Sequence, residues 1–239
     1  MLKNDRKSLA PVLFMGIVIL ASNELVQHPV QGVLFGIDLS LILTWAAFTY
    51  PVAFLVTDTT NRIFGVGSAR RVVAVGFAFG VGLTIVAALV IASGVSRATE
   101  LSIWQALLND PDALAMLRTA VASGSAFLVA QLLDIKVFDA LREAAWWKAP
   151  TASSLLGSVI DTAIFFSLAF AGTGLPWVTW AVGDFCAKLL MIALLIYPFR
   201  LLTRSPRRID PWVWPLSIGA SLLTYNSILA PYLASSVST

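Results

Sequence analysis

Six stretches of this sequence are apolar over roughly twenty residues each, and this feature limits the fold more than any other. About twenty apolar residues of helix are needed to cross the roughly 30 Å hydrocarbon core of a bilayer. Inside lipid, helices can satisfy every backbone hydrogen bond within one segment. The predicted spans are Leu9–Val26, Leu39–Thr60, Val72–Ser93, Ala113–Val137, Ser153–Ala171 and Trp177–Pro198.

The composition excludes an ordinary soluble domain, because 58% of the residues are hydrophobic and only 12% are charged. About a quarter of the residues in a soluble domain are charged. We therefore predict an all-α integral membrane protein, with a six-helix transmembrane bundle over residues 1–210. Residues 211–239 are predicted to be an apolar C-terminal extension. Its segment Trp212–Leu233 contains two prolines and is interpreted either as a seventh transmembrane helix or as an interfacial helix.

Basic residues alternate along the chain in the way that the positive-inside rule describes. They cluster before the first predicted span and after the second, fourth and sixth, whereas Arg97 is the one basic residue between the third and fourth. This pattern predicts a cytoplasmic N-terminus. It also accounts for the net charge of +3 without a nucleic-acid partner. Trp177 and Trp180, which open the sixth span, are interpreted as residues of the membrane interface.

The stretch GSVIDTAIFF places Asp161 in the middle of the fifth predicted span. An acidic side chain in a membrane needs a partner or a wet cavity. Ser154, Gly157 and Asp161 recur at roughly helical intervals, so this small face is predicted to pack closely against a neighbouring helix. Asp161 is then expected to point into the bundle, where Lys188, Arg118 or a bound ligand would satisfy it.

Other polar pairs share helix faces by their spacing. Asp58 and Arg62 are four residues apart, as are Asp184 and Lys188, and such pairs can interact on one face. For the first pair, an ion pair and a functional role remain equally open. The depth of the second pair favours a polar cavity. Two further residues, Gln131 and Asp134, share a face of the fourth span.

The sequence gives little support to catalysis. Ser123 and Ser125 are candidate nucleophiles, but the single histidine, His28, lies in a loop and offers no convincing base. One histidine and one cysteine are too few for a typical zinc cluster. No phosphate-binding or dinucleotide-binding glycine motif is present. We expect no catalytic residues, no metal site and no cofactor.

Several blocks of sequence resemble the bacterial queuosine precursor transporters, which form the VUT family. The blocks occur in order from the first predicted span to the sixth. They are SNELVQHP (22–29), FTYPVAFLVTDTTNRIFG (48–65), ARR (69–71), QLLDIKVFDALR (131–142), APTASSLLGSVIDTAIFF (149–166) and GDFCAKLL (183–190).

The resemblance implies a six-helix, multi-pass importer in the bacterial inner membrane. Its expected substrates are the queuosine precursor bases 7-cyano- and 7-aminomethyl-7-deazaguanine. A carboxylate suits the adjacent N–H donors of such a base, and aromatic rings such as those of Trp45, Phe48 and Tyr50 suit its flat face. The predicted substrate-binding residues are Asn23, Asp58, Gln131, Asp134, Asp161, Asp184 and Lys188.

Two questions about partners stay open at this point. The alternative function is a substrate-capture subunit of an energy-coupling-factor-type complex for another small heterocycle or vitamin. Such subunits commonly dock their coupling partner through small residues on the first helix, and APVLFMGIVILA has no alanine pair at four-residue spacing. The expected surroundings are the lipid bilayer, with or without a second copy of the chain.

Overall fold

A computed structural model describes residues 2–25, 28–34, 36–99, 102, 105 and 111–204. The described chain is predominantly helical, with one small two-stranded sheet between the first two helices. The helices are α1 (Leu2–Leu25), α2 (Ala46–Thr49), α3 (Pro51–Phe64), α4 (Val66–Thr99), α5 (Pro111–Ala140), α6 (Lys148–Phe170) and α7 (Trp177–Arg204). The strands are β1 (Val33–Leu34) and β2 (Ile37–Asp38).

Three of the described helices contain segments that are long and apolar enough to cross a membrane: Leu117–Ala140, Lys148–Phe170 and Trp177–Arg204. Their outer faces expose large aliphatic side chains, such as Val121 (66%) and Leu194 (55%). Contact with lipid tails accounts for this pattern. Lipid tails are as apolar as these side chains, so no hydrophobic free energy is gained by burying them between helices. The total of six spans and the cytoplasmic N-terminus remain predictions.

The second predicted span, Leu39–Thr60, is wrong as a single helix. Its first part forms a 3₁₀ turn over Leu39–Leu41, and regular helix begins only at Ala46. Pro51 then occupies the first turn of α3, where its missing N–H leaves no helical hydrogen bond to the residue four positions earlier. Tyr50 keeps helical angles (φ −56°, ψ −42°), so α2 continues into α3 past this interruption.

The chain between α1 and α2 folds back on itself, and we call residues 28–45 the hairpin segment. β1 and β2 pair antiparallel, and an isolated bridge joins Pro29 to Thr44. Backbone hydrogen bonds from Val30 N to Leu43 O (3.0 Å) and from Trp45 N to His28 O (3.1 Å) close its base. The segment is therefore held as a defined structure at one end of the helices.

At the tip of this segment, Asp38 caps the 3₁₀ turn. Its Oδ1 accepts hydrogen bonds from Ser40 Oγ (2.7 Å) and Ser40 N (2.9 Å). The hydrogen bond from the Ser40 side chain, and to a smaller extent the one from the Ser40 backbone, lowers the pKa of Asp38 below its ordinary value of 3.8. A lowered pKa means that the cap stabilises the fold above the unfolded-state value and is lost only as the pH falls through the folded-state value. The cap is therefore intact at neutral and mildly acidic pH.

The hydrophobic core lies where α1, α3, α4, α5 and α7 meet. Met15, Val56, Val72 and Phe138 are completely buried there. Phe138 also packs edge-on against Phe199, with ring centroids 5.9 Å apart. The helices that carry the polar groups described below are thus fixed by ordinary side-chain packing.

The small face predicted on the fifth span is confirmed. Ser154, Gly157, Ser158 and Asp161 are all buried on α6. A Cβ added at Gly157 would lie 2.6 Å from Cε1 of Phe54, so α3 packs directly over the missing side chain. Close approach at this point brings the polar groups of α3 and α6 together.

A second close approach joins α7 to the hairpin segment at Gly183. A Cβ there would lie 2.5 Å from the carbonyl oxygen of Ile42, which is backbone and cannot rotate away. We expect Gly183→Ala to lower the free energy of unfolding by about 1–3 kcal/mol, the usual effect of overpacking. Thermal unfolding of the detergent-solubilised protein measures this change. Gly82→Ala is the control, because nothing lies within 4 Å of that position, and equal stability of both variants would contradict the expectation.

The predicted seventh segment, Trp212–Leu233, lies outside the described residues, and so does the proposed boundary between residues 210 and 211. Both remain predictions.

Candidate functional site

A cavity of about 300 Å³ lies between the hairpin segment and helices α2, α5, α6 and α7. Small-molecule sites have volumes of roughly 300–1,000 Å³. The hairpin segment forms one wall of the cavity, and the helices form the others. The lining residues are Pro29, Ser40, Leu41, Ile42, Leu43, Thr44, Ala46, Tyr50, Ser123, Asp161, Phe165, Phe166, Phe170, Trp180, Asp184 and Lys188.

Two carboxylates and one ammonium group form the polar end of the cavity. Lys188 Nζ lies 2.8 Å from Asp161 Oδ2 and 2.6 Å from Asp184 Oδ2. It also donates to Thr162 Oγ1 at 3.0 Å, and that hydroxyl donates to Asp184 Oδ2 at 2.8 Å. Asp184 and Lys188 therefore pair on one helix face, as their spacing allows, and of the three partners considered for Asp161 the structure shows Lys188. We call Asp161, Asp184 and Lys188 the charged triad.

The triad leaves a specific set of atoms free. An ammonium group has three N–H donors, and all three of Lys188 are used by Asp161, Asp184 and Thr162. Each carboxylate spends its Oδ2 on these contacts. Neither Oδ1 accepts a hydrogen bond from the described residues. With both carboxylates ionised, the triad carries a formal net charge of −1, because two carboxylates face one ammonium group. It therefore presents the cavity with carboxylate oxygens and a negative charge, and no N–H of Lys188 remains.

Aromatic rings enclose the rest of the cavity. Phe170 packs edge-on against Phe165 and Trp180, with centroids 5.9 and 5.4 Å apart. Tyr50 and Ser123 also line the cavity, and Tyr50 Oη and Ser123 Oγ are hydrogen-bonded at 2.7 Å. One hydroxyl of this pair donates to the other, so one O–H remains for another acceptor. Trp180 lines this cavity, which corrects its interpretation as an interface residue only.

A second polar cluster is buried in the helix packing outside the cavity. Asp58 accepts hydrogen bonds from Ser153 Oγ to Oδ1 (3.1 Å) and from Ser154 Oγ to Oδ2 (3.2 Å). The side chain of Asp134 contacts that of Asp58. We call Asp58 and Asp134 the acid pair. In the same layer, Thr57 Oγ1 donates to Gln131 Oε1 at 2.5 Å.

The open question about Asp58 and Arg62 is answered against an ion pair. The Arg62 guanidinium donates to the carbonyl oxygen of Arg142 at 2.8 Å, and it forms no ion pair with Asp58. Arg118, a candidate partner for Asp161, instead donates to the carbonyl oxygens of Leu168 (2.8 Å) and Ala171 (2.6 Å) at the end of α6. Both arginines therefore tie helix ends together.

The predicted site residues thus fall into separate groups. Asp161, Asp184 and Lys188 line the cavity. Asp58, Gln131 and Asp134 belong to the buried cluster and do not line it. Asn23 is part of α1, but its side chain lies outside the described part of the structure.

Sequence reasoning missed aromatic residues of the cavity wall, and it missed Thr162, which supports the triad without lining the cavity. Thr162, which bridges Asp184 and Lys188, follows Asp161 directly and carried no signal of its own. Phe165 lies four residues after Asp161, the spacing that places it on the same helix face one turn away, and Phe166 is its neighbour in sequence. Of the aromatic residues named as candidates for stacking, Tyr50 lines the cavity and Trp45 and Phe48 do not.

A family profile described as "Putative vitamin uptake transporter" matches residues 44–203. A "Queuosine precursor transporter" of Escherichia coli (strain K12) is 39% identical over 197 residues, which cover 78% of this chain and 81% of that protein. The chain belongs to the queuosine precursor transporter family.

Other relatives agree in name. A "Probable queuosine precursor transporter" of Haemophilus influenzae is 34% identical over 213 residues, covering 82% of this chain and 87% of that protein. A protein of the same description from Bacillus subtilis is 28% identical over 170 residues, covering 67% of this chain and 68% of that protein. No solved structure matches this chain. All three relatives are described as transporters. The charged triad and the acid pair both lie within residues 44–203, which the family profile matches.

Proposed function

We propose that this protein imports the queuosine precursor bases 7-cyano- and 7-aminomethyl-7-deazaguanine across the bacterial inner membrane. The observation that carries the proposal is the cavity, whose polar end is a triad of net charge −1 and whose walls are aromatic. The names of the relatives support the same substrate class. We also propose that the protein is a bundle of six transmembrane spans with its N-terminus in the cytoplasm.

The cavity chemistry matches the edge of a guanine-like base. Such a base presents neighbouring N–H groups and a carbonyl oxygen. The free Oδ1 atoms of Asp161 and Asp184, one from each carboxylate, are the acceptors for the N–H groups. Hydrogen bonds to ionised carboxylates are among the stronger ones in proteins. Since Lys188 has no N–H left, the O–H of the Tyr50–Ser123 pair is the donor for the carbonyl oxygen.

The remaining features of the cavity suit the ring and its substituent. Phe165, Phe170 and Trp180 supply faces and edges against which a flat heterocycle packs. The net charge of −1 attracts the cationic aminomethyl group. Lys188 acts by holding the two carboxylates in position, which makes it a positioning residue for the substrate.

Binding to the purified protein tests this assignment. We expect 7-cyano-7-deazaguanine to bind, and the matching compound without the exocyclic amino group to bind about 10–100-fold more weakly, because a carboxylate oxygen then loses its donor. Isothermal titration in detergent measures both affinities. Equal binding of the two compounds would overturn the proposed contact.

Uptake tests the function itself. A strain that cannot synthesise the base, and that has no other importer, should lose queuosine from its tRNA when this protein is deleted and the base is supplied. Unchanged queuosine would contradict the proposal. Uptake by liposomes that contain this protein alone would exclude the alternative of a substrate-capture subunit, since such a subunit is inert without its partners.

A further inference from the structure

We propose that Asp58 and Asp134 form a proton-binding site that couples substrate movement to proton movement. This inference rests on the proposed import function and adds its driving force. The site is separate from the substrate cavity. From Tyr50, which lines the cavity, to Asp58 is eight residues of nearly continuous helix, or about 12 Å at helical rise.

The first argument comes from the partners of Asp134. This side chain is fully buried, and neither of its oxygens accepts a hydrogen bond from the described residues. Buried side-chain polar atoms normally have at least one hydrogen-bond partner. The neighbouring hydroxyl of Ser153 donates to Asp58 Oδ1 and to the carbonyl oxygen of Pro150 instead. The side chains that approach Asp134 are the hydroxyl of Ser153 and the carboxyl group of the other acid, Asp58.

The second argument is the charge around the pair. Two ionised carboxylates in contact would repel strongly in a buried setting, and one shared proton removes this repulsion and provides a hydrogen bond. Among the described residues, no Lys or Arg forms an ion pair with either acid.

Three basic groups on α3 and α7 bind to other partners. Arg62 on α3 binds the Arg142 carbonyl, and Lys188 on α7 binds Asp161 and Asp184. Arg200 on α7 lies over the Trp146 ring, 4.6 Å from its centroid. From α6, the groups that face the pair are the hydroxyls of Ser153 and Ser154, and these are neutral.

The third argument is access. Asp58 lines a small cavity of about 20 Å³, together with Ser154 and apolar side chains such as Leu195. A volume of about 10–15 Å³ is enough for one water molecule. A water at this position would touch Asp58 and Ser154, and it would be the group that exchanges a proton with the pair. On binding, one O–H bond forms on a carboxylate oxygen; on release, the same bond breaks.

The experiment uses the purified protein in liposomes and labelled 7-cyano-7-deazaguanine. With the membrane potential clamped at zero, we expect the wild type to accumulate the base when the outside is 1.5 pH units more acidic. For one proton per substrate molecule, the limit is about 30-fold accumulation. A pH dye trapped inside the liposomes should report acidification on addition of the base. Absence of both signals would overturn the inference.

Variants assign the coupling to the acid pair. Asp134→Asn and Asp58→Asn keep the side-chain size but cannot exchange a proton. We expect each to lose gradient-driven accumulation while it still exchanges internal for external base at equal pH. Glu143→Gln, at an exposed acid, is the control and should behave as the wild type. If Asp134→Asn does not fold, Asp58→Asn decides the matter.

The outcomes separate this inference from the proposed function. No exchange by the wild type at equal pH would mean that import of this base is itself wrong. Exchange without any effect of the pH gradient would overturn only the proton site. Accumulation that follows a sodium gradient at constant pH would also overturn it, in favour of a metal cation. Full proton coupling in both acid-pair variants would overturn the inference, because the coupling proton would then bind at another group.

Discussion

Replacing Lys188 by methionine should destabilise the protein by about 3–5 kcal/mol, the usual result of removing one partner from a buried ion pair. Lys188 is only 3% exposed and holds both Asp161 and Asp184. Methionine has a similar length, so the packing changes little, but two carboxylates are left facing each other. For a chain of this size, the expected fall in the unfolding temperature is about 6–20 °C. Thermal unfolding of the purified protein measures it.

A compensated variant separates stability from function. Lys188→Met combined with Asp161→Asn and Asp184→Asn removes all three charges. Replacing a buried ion cluster by neutral groups is often neutral or stabilising, so this variant should recover much of the lost stability. It should nevertheless bind no substrate, because both carboxylates are gone. A single Lys188→Met variant that is as stable as the wild type would contradict the prediction.

The position of the triad shows what the sequence could predict. Asp184 and Lys188 are four residues apart on one helix, so their pairing followed from helix geometry alone. Asp161 lies on another helix, and the small residues around it predicted correctly that it faces the bundle. Polar residues are rare enough in apolar helices that each one limits the packing.

Other features depend on tertiary contacts that no local spacing contains. Leu39–Thr60 is as apolar as a transmembrane helix. Its first part instead forms a wall of the cavity, where backbone hydrogen bonds join it to residues 28–32. Arg62 is correctly spaced for Asp58, yet it reaches the end of α5, because the Arg142 carbonyl is exposed there. The contact between Asp58 and Asp134 joins two helices that are distant in sequence. Two acids without a cation are not a pairing that charge rules would suggest.

The charge of the triad leads to the prediction with the next largest effect, which concerns selectivity between the two proposed substrates. Asp184→Asn should lower the affinity for the aminomethyl base relative to the cyano base by about 10-fold or more. A hydrogen bond to a charged group contributes about 1.5–3 kcal/mol, and the variant changes the net charge of the triad from −1 to 0. Competition binding at neutral pH gives both affinities, and their ratio is the quantity compared.

The fold should tolerate this substitution. The Asn side-chain oxygen still accepts hydrogen bonds from Thr162 and Lys188, which now contact Asp184 Oδ2 at 2.8 and 2.6 Å. Glu143→Gln serves again as the control, since it removes an acidic charge at an exposed position. Any loss of ring contacts in Asp184→Asn affects both bases alike and cancels in the ratio. A ratio equal to that of the wild type would therefore mean that the aminomethyl group is not recognised by the charge of the triad.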